Sequence, residues 1–175
     1  VTAGIQPTLS FDFVESFWGL RHVEKTPLDL YRWDSSRDFG VTASGPLNQS
    51  GTIKYAAQFG NESGSNAEVD KFKALRLAAR YETPAGVSVE GYVSQFHRSS
   101  DADVLTAQVF AGYRVKQARV GAHYSYQKRR AAEGSVTPDV EQDLVSVFGI
   151  YEARPQKLSA FARLDFYTDP CPQCA

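Results

Sequence analysis

The stretch LRLAARYETPAGVSVEGYV, residues 75–93, consists of two alternating runs joined at Thr83-Pro84-Ala85-Gly86. One set of alternate positions is Leu75, Leu77, Ala79 and Tyr81, continued by Val87, Val89, Gly91 and Val93. The other set carries Arg76, Arg80, Glu90 and Tyr92. Successive side chains on a strand point to opposite faces, so this pattern predicts a hairpin with one apolar and one charged face. Two architectures use such faces in opposite ways. In a soluble β-protein the apolar set is the core. In a barrel that crosses a membrane the apolar set meets lipid, and the charged set lines a wet interior.

The same rhythm runs from Arg37 onward. Candidate strands lie over RDFGVTASG, GTIKYAAQFG, FKALRLAARYE, GVSVEGYVSQF, DVLTAQVFAGYRV, ARVGAHYSYQ, DLVSVFGIYEA and KLSAFARLDFY. The connections PLNQS, TPAG, KQ and RPQ are short, whereas NESGSNAEVD, HRSSDA and KRRAAEGSVTPDVE are longer and polar. They alternate along the chain, which sorts short turns to one end of the sheet and long loops to the other. An up-and-down antiparallel barrel has that property, and a Greek-key sandwich has no reason for it. One segment competes: SNAEVDKFKALRLAARYE is rich in helix formers, and Ser65 with Glu68 imitates a capping box. On a helix, however, Leu75 and Leu77 would point to nearly opposite faces, whereas period two keeps residues 75, 77, 79 and 81 together. A strand is expected there.

The composition of the faces decides which one looks inward. In KLSAFARLDFY, Leu158, Ala160, Ala162, Leu164 and Phe166 stand opposite Ser159, Phe161, Arg163, Asp165 and Tyr167. In ARVGAHYSYQ, Ala118, Val120, Ala122, Tyr124 and Tyr126 stand opposite Arg119, Gly121, His123 and Ser125. These apolar faces are light, with tyrosines toward the strand ends. A soluble core interdigitates to close packing and favours bulkier side chains. A lipid-facing wall has no such demand, and tyrosines suit the headgroup level. The apolar set is therefore expected to face out, and the small glycines beside arginines to leave room in a lumen. DLVSVFGIYEA is the exception, because Leu144, Phe148 and Ile150 oppose Val145 and Val147. Apolar residues on both faces imply cover on both sides, by an inward-folded loop or a subunit contact.

Composition narrows the class further. The 175 residues are 42% hydrophobic and 22% charged, which excludes a disordered chain. No apolar run approaches the roughly 20 residues of a spanning helix. With 19 basic and 20 acidic residues the net charge is −1, which gives no reason to expect nucleic acid as a partner. Methionine is absent and the chain opens VTAGIQPTLS, so the sequence reads as a processed protein or an internal piece. Cys171 and Cys174 form a C-x-x-C near the C-terminus. That spacing suits a small disulfide, a redox pair or half a zinc site, and a loop disulfide is preferred. His22, His97 and His123 are scattered too far to complete a zinc site, and no cofactor is expected.

The N-terminal third carries a more specific signal. FWGLRHVEKTPLDLYRWDSSRDFGV, residues 17–41, contains Trp18, Gly19 and Arg21, then VEKTPLDL at 23–30 and SRDFG at 36–40. This stretch resembles a segment of bacterial outer-membrane porins related to the phosphate-selective porin family. GTIKYAAQFGNESGS looks like the strand and Asn-Gly loop that follow in that family, with Glu62 where glycine usually follows Asn61. The resemblance implies a barrel of about 16 strands, of which this chain is an internal fragment. It also implies a homo-oligomer, a trimer, that sits in outer-membrane lipid of a bacterium and passes small hydrophilic solutes or anions. The C-terminal TDPCPQCA departs from the terminal aromatic strand of that class. The constriction loop, with its basic cluster, is expected to be missing.

Three parts follow. Residues 1–36 are expected as a connector, 37–168 as about eight antiparallel strands of an all-β transmembrane barrel, and 169–175 as a loop or cut end. Pore-lining candidates are Lys54, Arg76, Arg80, Arg114, Arg119 and Arg163, with Glu90, Asp165 and His123 among them. An arginine ladder beside water lowers the barrier for anions. Alternatively the charges pair with one another, Arg76 or Arg80 with Glu90 and Arg163 with Asp165. His123 and Ser125 share a face, but without an acid or an oxyanion hole they are ordinary lumen residues, and no catalysis is expected. Glu24, Lys25, Asp29, Arg32, Asp34, Arg37 and Asp38 read as a solvated connector whose charges pair locally, or as a pore mouth. A passive diffusion channel is the leading expectation. The alternatives are a closed eight-stranded barrel serving as anchor or adhesin, and a soluble periplasmic barrel binding an apolar ligand.

Overall fold

A computed structural model describes residues 1–64, 66, 72–97, 103–131, 139–154 and 158–168. Among these residues nine strands form one antiparallel sheet in sequential order: β1 (Thr2–Pro7), β2 (Arg37–Pro46), β3 (Ile53–Gly60), β4 (Ala74–Glu82), β5 (Val87–His97), β6 (Asp103–Arg114), β7 (Ala118–Arg130), β8 (Val140–Arg154) and β9 (Leu158–Thr168). The deciding stretch forms β4 and β5, with Leu77 opposite Val93, Arg80 opposite Glu90 and Tyr81 opposite Val89. The helix-like alternative for this stretch fails from Ala74 onward. Its capping pair, Ser65 and Glu68, lies outside the described residues, as do Cys171 and Cys174.

Eight strands occupy Arg37 to Thr168, and a ninth lies before them. Residues 1–36 are thus more than a connector. They hold β1, helix α1 (Leu9–Trp18) and the short helix α2 (Pro27–Leu30). β1 pairs with β2 and places Ile5 beside Phe39 on the same face. Between Pro7 and Arg37 the chain leaves the sheet, crosses one of its faces and returns.

That crossing bends the sheet. Side chains from β4 to β9 all reach the 8–36 segment: Arg80 lies over Phe13, Phe110 and Phe148 meet Phe17, and Tyr167 stacks on Tyr31. Six flat strands would spread over about 24 Å at ~4.8 Å spacing. A helix with its side chains is only about 10–12 Å across. One helix therefore touches strands this far apart only if the sheet curls around it.

The concave face carries the charged set of β4 and β5 and, on β6 and β8, buried aromatic and aliphatic side chains. Arg76 is 0% exposed and Glu90 1%, whereas Leu164 and Phe166 on the convex face are 65% exposed. Ile5, Phe39, Val41, Leu75, Leu77, Val93, Val109 and Val147 all lie exposed on that outer surface.

Candidate functional site

Charged, aromatic and small side chains converge on the concave face and the segment that fills it. Helix α1 starts after Thr8, whose backbone is extended and whose hydroxyl donates to Ser35 O at 2.6 Å. Gly19 closes the helix in the left-handed region (φ 67°), its N–H donating to Glu15 O at 2.7 Å. Glycine adopts that conformation without the strain a Cβ brings, which accounts for the Trp18-Gly19 pair. Leu9, Phe13 and Phe17 recur every four residues, with Val14 and Trp18 beside them, and all are buried. Asp12 and Ser16 share the remaining exposed stripe. This periodicity, with Gly19 behind it, was the available signal for the helix that the connector expectation missed.

Against β6–β9 the helix meets an aromatic wall. Phe17 sits edge-on to Phe110 with centroids 5.1 Å apart, and Trp18 to Phe148 at 4.9 Å. The glycines of β6 and β7 make this approach possible. A Cβ on Gly112 would stand 2.5 Å from the Phe17 ring, and one on Gly121 equally close to Phe148. Their room is taken by aromatic rings, not by arginine side chains in a lumen. The inner apolar face of β8 is likewise explained: Phe148 and Ile150 join Phe13 and Phe17, while Leu144 joins Phe11, Leu28 and Trp33. An inward-folded segment is the cover.

The basic candidates are engaged by the same segment. Arg76 donates to Asp38 at 2.9 Å, to Asp34 at 3.3 Å and to Glu62, all with little or no exposure. Ser10 and Tyr92 also donate to Asp34, at 2.7 and 3.3 Å. Asp34 and Asp38 therefore do not belong to a solvated, locally paired run. They reach across to β4, whereas Asp29 is held nearby by Arg21 at 2.8 Å and Lys25 at 3.2 Å. Arg80 donates twice to Glu90 Oε2, at 2.9 and 2.8 Å, and Lys54 pairs with Glu82 at 2.7 Å.

The remaining candidates lie along β6, β7 and β9. Arg114 lies over the Phe17 ring and donates to Phe17 O at 3.3 Å, where a cation complements the helix C-terminus. The Arg119 guanidinium packs against Gly19. Arg163 lies over Trp18 and pairs with Asp165 at 3.0 Å. His123 is buried, and neither ring nitrogen has a hydrogen-bond partner among the described residues. Ser125 donates to Gln108 at 3.3 Å and not to His123. Asp101 lies outside the described residues. The nine pore-lining candidates thus share one face, but the five arginines lie against the inserted segment or pair with Glu90 and Asp165, Lys54 pairs with Glu82, and His123 is buried, so they do not stand as a free ladder.

One space remains. A cavity of about 400 Å³ lies between the start of α1 and strands β2–β5, bordered by Leu9, Asp12, Ser44, Ala56, Ala78, Arg80 and Glu90. It exists because the inward positions of β2–β4 carry Ser44, Ala56 and Ala78, too small to reach the helix. Lys54 and the turn residues Pro46 and Gly51 lie at its edge. Glu90 Oε1 is buried there and has no partner among the described residues.

No family of known proteins, no curated protein and no solved structure matches the chain.

Proposed function

We propose that the chain forms wall and constriction of an outer-membrane β-barrel channel, through which small hydrophilic solutes diffuse passively. The observation that carries this reading is the inversion of the faces: apolar side chains cover the convex surface, and the charged set is enclosed. On β6 the apolar outward positions run from Leu105 to Tyr113, about 26 Å along a strand at ~3.3 Å per residue. Tilted in a barrel, that length suits the hydrocarbon layer. Tyr55, Tyr81, Tyr113 and Tyr151 stand exposed near the short-turn ends of β3, β4, β6 and β8, where an interfacial girdle would lie. Toward the long loops the outward positions become charged, with Lys128 and Glu141 paired at 2.6 Å. The inserted 8–36 segment takes the part of a constriction, and assembly as a trimer in lipid belongs to the same proposal. Anion preference does not, since no free arginine ladder supports it.

A second reading has its own support. Packing of α1 on the aromatic wall of β6–β9 resembles a filled interior, as an anchor would have. Single-channel recording in a planar bilayer separates the two. Discrete conductance steps are expected from detergent-extracted protein. Silence from demonstrably inserted protein would select the anchor, and a protein that never required detergent would overturn both.

A further inference from the structure

The cavity beside α1 ends abruptly. On β2, β3 and β4 the inward residues at its wall, Ser44, Ala56 and Ala78, are exposed or half-buried and stand opposite one another in the sheet. Two residues away on each strand, toward the long loops, Thr42, Gln58 and Arg76 form a second row, and all three are buried. The cavity therefore opens toward the short turn around Gly51 and stops against that row.

The neck of the inserted segment lies across the row. Gln58 donates to Pro7 O at 3.0 Å, and Arg76 donates to Asp34 at 3.3 Å. Thr8 ties the two sides of the neck together through Ser35 O and Ser36 O. Arg76 also joins the neck to β2 through Asp38 and to the β3–β4 connection through Glu62. Yet the closed row is incompletely satisfied. Thr42 Oγ1, Gln58 Oε1 and Asp38 Oδ1 are buried without a partner among the described residues. Each such atom raises the free energy of the closed arrangement and is hydrated once uncovered, which favours displacement of the neck.

We propose that the cavity is the vestibule of a gated passage, closed at its inner end by the neck of the 8–36 segment, with Arg76 as the latch. Release of Arg76 from Asp34 frees the neck to leave the row, and the vestibule then joins the long-loop side. A guanidinium suits this post, because its planar fork reaches carboxylates on separate elements at once, as a point-charge ammonium does not. That the joined space conducts solutes rests on the function proposed above; the latch itself does not.

The test is the rate at which single cysteines react with a water-soluble methanethiosulfonate, in the full chain in detergent carrying Cys171→Ser and Cys174→Ser. Ser44→Cys reports the vestibule, and Thr42→Cys reports the row behind the latch without removing a hydrogen bond. With the neck displaced in about 1% of molecules, Ser44→Cys is expected to react about a hundredfold faster than Thr42→Cys. Arg76→Lys keeps the charge but loses the fork. It is expected to speed Thr42→Cys about tenfold, the loss of one charged hydrogen bond, and to leave Ser44→Cys unchanged. Ser146→Cys, buried on β8 in the other half of the sheet, should stay unreactive. Equal rates at 42 and 44 before the lysine change, or a rate at 42 that Arg76→Lys does not raise, overturns the proposal. So does an equal rise at Ser146→Cys, since the network would then hold the whole fold and not a gate. In bilayers Arg76→Lys is expected to lengthen the conducting intervals, and conductance indifferent to it overturns the gate. The expected labelling without any conductance would retain the latch and remove the channel, so the two failures are separable.

Discussion

The two halves of the concave face treat the inserted segment in opposite ways. Over β6–β9 the wall is aromatic, and glycines at 112 and 121 let rings approach until no space is left. Over β2–β5 the wall is small and charged, contact is made by the Arg76–Asp34 ion pair and by Arg80 over the Phe13 ring, and a cavity lies beside Arg80. One half anchors the segment by dispersion and apolar burial, which are non-directional and tolerate no gap. The other anchors it by charged hydrogen bonds, which are directional and can hold a segment across an opening. A filled region and an open one can therefore share one sheet, because only one of the two kinds of contact must fill the volume it occupies.

The contrast can be broken most severely at Arg76. Replacing it with leucine leaves Asp34, Asp38 and Glu62 buried together without their cation, and removing one partner of a buried charge network costs about 3–5 kcal/mol. Urea unfolding in detergent should show a loss of that size. A change below about 1 kcal/mol would mean that the ionic half does not hold the segment.

On the aromatic half, Phe17→Ala should cost about 3 kcal/mol, since it empties the space between Phe110 and Phe148. It should also raise single-channel conductance if α1 then moves away from the wall. An unchanged conductance with lowered stability would show that the helix stays in place through the Ser10–Asp34–Arg76 connection. The smallest effect is expected for Lys54→Gln, whose partner Glu82 lies at the exposed rim, below about 1 kcal/mol and reduced further by salt. A larger loss there would extend the rigid ionic network to the cavity mouth.

How much was legible from the sequence differs between strands and site. Residues 75–93 announced their hairpin and the sorting of their faces because alternation is a local property, repeated every two residues. The doubly apolar strand around Phe148 even signalled that something must cover it. Helix α1 left its own trace in Leu9, Phe13, Phe17 and Gly19, hidden by the expectation of a connector. The partners of the arginines left none. Asp34 and Arg76 are 42 positions apart, and Arg163 donates to the carbonyl of Lys25 across 138 positions. Period and composition say that an arginine faces inward, but nothing local says what it will meet there.

The sequence by itself determined the strands β2–β9, their sequential antiparallel order and the outward turn of the apolar face, because each follows from pattern within a strand or from the length of the loop beside it. Only the tertiary structure decided that residues 8–36 enter the concave face, that they engage the arginines, and that a cavity remains beside α1. The physical reason is that charge neutralisation and filled volume are sums over groups distant in the chain, and those sums have no value until the sheet has curled around the segment that completes them.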